Sequence, residues 1–150
     1  MSKAEFLADI RSARVELDEV LAPRDEKTLS QTIVPGLRWT AKELLAHLIG
    51  YDRAVLEAIA DVRAGRTWAW AWTYPEFDEW NESQVGPRRA HRYAAVRAEL
   101  DASRAALLGE LDGWPEDAGP FGPDTWDRKK SEIGWIGPHE REHAEMIATL

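Results

Sequence analysis

The stretch "RWTAKELLAHLIGYD", residues 38–52, decides the fold. Thr40 and Glu43 spell a capping box, in which a hydroxyl and a carboxylate satisfy backbone N–H groups at a helix start. Behind them Leu44, Leu45, Leu48, Ile49, Val55, Leu56, Ile59 and Val62 return every three or four residues, the period of a helix with one apolar face. Gly65 closes this run.

Three more runs share that period. Ser2 and Glu5 form another capping box ahead of Phe6, Ile10, Ala13, Leu17 and Leu21, and Pro23 marks the end. A third run extends from about Arg88 to Leu111, striped by Tyr93, Val96, Leu100, Leu107 and Leu111, with Gly113 as its stop. The fourth begins at Ser131 or Gly137 and reaches Leu150; Pro138 requires that it start at Gly137-Pro138 or kink there. Four amphipathic helices without a convincing strand predict an all-α four-helix bundle, one domain over residues 1–150. "TWAWAWTY", residues 67–74, alternates Trp68, Trp70 and Trp72 with small residues; with no partner strand it reads as an extended arm packing aromatics on the bundle. It lies in a connection of about twenty residues between the second and third helices, too long for a hairpin turn. Within that connection Pro75 to Gln84 suits a short helix with Phe77 and Trp80 one turn apart. The later connection, residues 113–130, holds three prolines and three glycines and reads as ordered loop.

Composition narrows function. The chain of 150 residues has no cysteine, which removes disulfides, thiolate metal sites and a thiol nucleophile. With 27 acidic and 19 basic residues its net charge of −8 repels phosphate backbones, so nucleic acid is not an expected partner. No apolar run is long enough to span a membrane and no signal peptide is visible, so a soluble cytoplasmic protein is expected. The eight tryptophans serve mainly packing, with a minority available to line a pocket.

Chemistry centres on "HEREH", residues 139–143, which fits H-E-x-x-H. Two histidines four apart leave one face of a helix and can hold one metal. On a helical wheel His139 and His143 share a face with Ile136, Met146, Ile147 and Leu150, while Arg141, Glu142 and Glu145 point away. The pair is either a metal site or two core histidines bonded to backbone or water. The extended zinc-protease motif would need glycine and histidine at positions 146 and 149, where Met146 and Thr149 stand, so a third ligand must come from upstream. Upstream there are His91, in the basic and exposed-looking "RRAHRYAAV", and His47, on the flank of the second helix beside Tyr51, Ala54 and Ala58.

"RWTAKELLAHLIGYD" resembles the second-helix signature of the DinB/YfiT-like four-helix-bundle superfamily, and "IGWIGPHEREHAEMI", residues 133–147, resembles its C-terminal histidine helix. The resemblance implies an up-down-down-up topology and a divalent metal, zinc or nickel, on His47, His139 and His143. The family includes thiol-dependent S-transferases, mycothiol-dependent maleylpyruvate isomerase-like proteins, ClbS/DfsB-like relatives and members linked to hydrolysis or detoxification. It therefore implies a small-molecule substrate that is electrophilic, and a low-molecular-weight thiol as cosubstrate. Non-catalytic sequestration of a ligand in a stress response is the rival reading, and an H-E-x-x-H zinc protease a remote one. Trp39 and Trp135 either cap the bundle end or line the site, and Tyr51 either packs or bonds a bound water. "FDEWNES" resembles the segment crossing the pocket mouth, which makes Trp80 and Asn81 substrate contacts. Asp52 either pairs with an arginine or orients a ligand histidine, and Glu140 is read as supporting a ligand or facing solvent. A homodimer is compatible with a bundle of this size.

Overall fold

The computed structural model describes residues 1–70 and 77–150. Six α-helices occur among them: α1 Lys3–Leu21, α2 Glu26–Gln31, α3 Ala41–Arg63, α4 Phe77–Val85, α5 Tyr93–Asp112 and α6 Ile136–Ile147. A 3-10 turn, Gly86–Arg88, follows α4. The described residues contain no strand, only isolated bridges between Ile33 and Thr40 and between Gly119 and Gly122. The four longest helices are the four periodic runs of the sequence, so the all-α class is borne out. No helix is long and apolar enough to cross a membrane among the described residues. Trp72 and the start of the anticipated short helix, Pro75, lie outside the described residues; its remainder is α4.

The chain forms two compact units, Met1–Ala41 with Trp114–Leu150 and Lys42–Gly113. In the first, α1 is capped as its sequence dictates: Ser2 Oγ accepts from the Glu5 N–H at 3.1 Å and the Ser2 N–H donates to Glu5 Oε2 at 2.6 Å. Its buried residues Phe6, Leu7, Ile10, Ala13, Leu17 and Leu21 step along one face. That helix packs along α6. Asp9 and Glu16 meet Arg141, Arg14 meets Glu140, and Arg24 donates to the Ala148 carbonyl, so contacts advance together along both helices and the two run parallel. The loop after Trp114 is ordered by side chains, as its prolines and glycines suggest. Lys3 Nζ donates to the Trp114 carbonyl at 2.7 Å, Trp126 Nε1–H to the Pro115 carbonyl at 3.1 Å, and the Trp126 ring meets Phe6 edge-on at 5.7 Å. The short α2 was not anticipated; Asp25 caps it by accepting from the Thr28 N–H at 2.7 Å, and Leu29 is its single buried residue.

In the second unit α3 and α5 also run parallel. Asp52 meets Ser103 and Arg104, Arg53 meets Glu99 and Arg63 meets Glu110. Two parallel helices cannot be joined by a tight turn, which is why some thirty residues, α4 among them, intervene. Each unit is thus built on one parallel helix pair, α1 with α6 in the first and α3 with α5 in the second. The third run begins five residues later than its sequence suggested, at Tyr93, because Gly86-Pro87 sets a 3-10 turn first. Trp68 and Trp70 pack ring to ring at 4.8 Å, with Trp70 buried, while Thr67 and Ala69 are exposed. Over residues 67–70 the alternation is thus a period of packing, with no strand among the described residues.

At its C-terminus α3 stops as a Schellman motif. Gly65, at φ +68°, donates to the Val62 carbonyl and Arg66 donates to Asp61, both near 3 Å. Gly65→Ala places a Cβ in the left-handed region and is expected to cost about 1 kcal/mol. The check is the midpoint of urea unfolding, which should fall with its slope unchanged.

Candidate metal centre

In the first unit, α6 begins at Ile136 with Pro138 in its first turn, where the missing N–H is one that the helix could not use anyway. The helix therefore starts without a kink, and His139 and His143 stand on successive turns. Their Nε2 atoms are 2.9 Å apart and the rings meet at 70° with centroids 4.4 Å apart. His143 is buried and His139 half-buried. Burial holds the His143 pKa below the usual imidazole value, against the opposing pull of the Glu142 and Glu140 carboxylates. At neutral pH the ring is thus uncharged and has a lone pair for a ligand. Trp135 stands at the N-cap position of the helix without a side-chain cap bond; its Nε1–H donates to the Glu132 carbonyl at 2.8 Å and its ring stands edge-on to His139 at 5.8 Å.

The packed face of α6 is turned from the one that the wheel suggested. Ile136, Gly137, Glu140, His143, Ala144 and Ile147 are buried; Met146 is only half-buried, and Arg141 is half-buried rather than pointing away. Two arginine contacts with α1 set this rotation. Arg141 donates to both oxygens of Glu16 at 3.0 Å, and Glu140, with no exposure, accepts from Arg14 Nε. Glu140 therefore does not face solvent; it is the acidic half of a buried ion pair. A protease base must reach a water, whereas this carboxylate is committed to a guanidinium.

In the second unit, His47 sits on α3 with 5% of its surface exposed. Tyr51, one turn on, meets it edge-on at 4.6 Å, and Trp80 of α4 meets Tyr51 at 5.1 Å and 88°. Burial pushes the Tyr51 pKa up to about 12, so the phenol keeps its proton at neutral pH. Asn81 is buried beside Trp80 in the chain, and its Oδ1 finds no hydrogen-bond partner among the described residues. Asp52 resolves in favour of an arginine: Arg104 Nη2 and Nε donate to it at 3.0 and 3.1 Å and the Ser103 hydroxyl at 3.2 Å, all three side chains being buried. His91 is exposed, as its basic context implied. Trp39 is half-buried in the turn ahead of α3, where its carbonyl accepts from the Val34 N–H at 2.9 Å.

His47, His139 and His143 each offer a ring nitrogen, and these atoms lie within 4.8 Å of one another. They could hold a metal ion. Three imidazoles, two buried and one half-buried, form the donor set that borderline divalent ions prefer, and three protein ligands leave room for an exogenous one. The model of the DinB superfamily matches residues 9–147. The chain belongs to the DinB superfamily. No curated protein matches it. Among solved structures, the one described as "Sibling Lethal Factor Precursor - DfsB" is similar over 99% of this chain and 94% of its own, with a TM-score of 0.80 and 17% identity. That likeness shows that the two share a fold. A DinB-superfamily assignment agrees with the resemblance read from the tryptophan-led helix and the histidine helix, and members of the superfamily are metal-associated.

Sequence reasoning missed two features near these residues. Arg14, the partner of Glu140, lies 126 positions away in the chain and has only an ordinary place on the α1 wheel. A cleft of about 140 Å³ between α3 and α4, lined by Gly50, Arg53, Ala54, Glu57, Trp80 and Gln84, was equally hidden. Its one advance signal was a glycine inside an apolar helix, which marks a close approach.

Proposed function

We propose that this DinB-superfamily chain is a divalent-metal-dependent enzyme acting on a small electrophilic molecule, by transfer to a low-molecular-weight thiol, isomerisation or hydrolysis. One observation carries the reading: three imidazole nitrogens within 4.8 Å of one another. His47, His139 and His143 would hold zinc or nickel. Such an ion, when bound, supplies a Lewis acid that polarises an electrophile and favours the deprotonated form of water or a thiol. The chain's own side chains do the rest. His143 is kept neutral by burial, and the Trp135 ring limits the orientations of His139. Tyr51 stays protonated beside His47 and offers a hydroxyl donor, while Asn81 offers a buried acceptor to a ligand N–H or O–H. Trp80 supplies an aromatic wall and Trp39 a half-buried indole ahead of α3. The net charge of −8 supports a small-molecule partner rather than nucleic acid.

The test is incubation of zinc- or nickel-loaded protein with a cellular thiol and a panel of an epoxide, an alkyl halide and an unsaturated acid, read by mass spectrometry. A thioether or a hydrolysed or isomerised product is expected, with its rate reduced on the order of 100-fold or more in His143→Ala. Metal-loaded protein that binds an electrophile without turning over any pair would instead identify a sequestering protein.

A further inference from the structure

The α3–α4 cleft has chemistry of its own. Gly50 and Ala54 lie one turn apart along α3 and leave space, while Arg53 and Glu57, also one turn apart, bring opposite charges to the same cleft. Trp80 and Gln84, one turn apart on α4, line the other side. The helices close tightly at the Gly50 end, where a Cβ would stand 2.6 Å from Gln84 Cγ. Arg53 and Glu57 have the spacing of a helical ion pair but do not bond each other. Arg53 instead reaches Glu99 at 3.4 Å, in an exposed and therefore weak contact. Glu57 has no hydrogen bond or ion pair among the described residues. One acid and one base thus line a small space beside an indole without neutralising each other. The cleft also adjoins the histidine: Trp80, in its wall, touches Tyr51, and Tyr51 touches His47.

We propose that this cleft binds the zwitterionic end of a small ligand, an α-amino-acid group whose carboxylate pairs with Arg53 and whose ammonium pairs with Glu57, its carbon skeleton lying on Trp80. The cleft, about 140 Å³ in volume, has room for a group of that size. The proposal rests on the small-molecule reading above and adds a substrate class to it, an amino-acid-bearing electrophile or thiol. The bidentate fork of Arg53 suits a carboxylate, and Gln84 adds a polar group that can bond either end.

L-alanine, propionate and ethylammonium are the probes, titrated into ¹⁵N-labelled full-length protein and followed by the amide shifts of Gly50, Ala54 and Gln84. L-alanine is expected to shift these resonances saturably, and to bind at least tenfold more weakly to Arg53→Gln and to Glu57→Gln. Either single-charge probe should also bind at least tenfold more weakly than L-alanine. Absence of saturable shifts, equal binding by propionate or ethylammonium, or unchanged affinity in both variants would overturn the proposal. Zinc titration of the same variants separates the two readings: unchanged metal binding with lost alanine binding is expected, whereas a chain that binds alanine but no metal would contradict the metal-centre reading alone. Glu57→Lys is a further control, expected to turn the cleft toward propionate.

Discussion

Replacing Arg14 by Met is expected to destabilise the protein by about 3–5 kcal/mol, because it takes the guanidinium away from a Glu140 that has no exposure to water. For a chain of this length that is a fall in Tm of roughly 6–20 °C. The physical cause is desolvation: a carboxylate removed from water needs its guanidinium, and Arg14, with a side chain 11% exposed, is nearly as buried. The double variant Arg14→Met/Glu140→Met removes both charges and is expected to regain most of the loss, since a well-packed apolar pair often matches a buried ion pair. Thermal unfolding of the wild type, the single and the double variant checks this. A single variant within 1 kcal/mol of wild type, or a double variant no better than the single, would contradict the assignment of Glu140 as a paired structural carboxylate. It would also reopen the possibility that the glutamate of H-E-x-x-H has a chemical role.

This pair shows where the sequence stops being readable. Local signals were legible: Ser2 and Glu5 announced the start of α1, Gly65 the end of α3, and the Leu/Ile stripe of residues 44–62 the helix between them, because each depends on neighbours three or four residues away. His139 and His143 were legible as a pair for the same reason. Glu140 was not, because its partner lies 126 positions back and a wheel carries no information about what the facing helix presents. Arg141 fails on the wheel in the same way; Asp9 and Glu16 of α1 draw it inward. For Asp52 the sequence left two partners open, and Arg104 and Ser103, one turn of α5 reaching across to α3, decide between them. The capped six-residue α2 was missed because its single buried leucine produces no periodicity. His47 was one of two upstream histidines in the candidate set; its spacing on α3 was only suggestive, and family resemblance singled it out over His91.

The largest effect expected at the candidate centre is on metal affinity. Each imidazole is one of three donors, so removing His47 or His143 should leave a two-ligand site and weaken zinc or nickel binding by roughly 100-fold or more. Metal that binds the folded chain also stabilises it; at one hundred times Kd the gain is about 2.7 kcal/mol, which these variants should lack at the same metal concentration. Neither substitution touches the Arg14–Glu140 or Asp52–Arg104 pairs, so their metal-free stability should remain close to wild type apart from the loss of packed ring.

The most direct measurement is elemental analysis of the purified native protein beside His47→Ala and His143→Ala, with calorimetric zinc titration of each after chelation. About one divalent ion per wild-type chain, saturable rebinding after chelation, and its loss in both variants is the predicted result. Native protein without metal that neither binds nor is stabilised by zinc or nickel, or variants that bind as the wild type does, would contradict a metal centre on His47, His139 and His143.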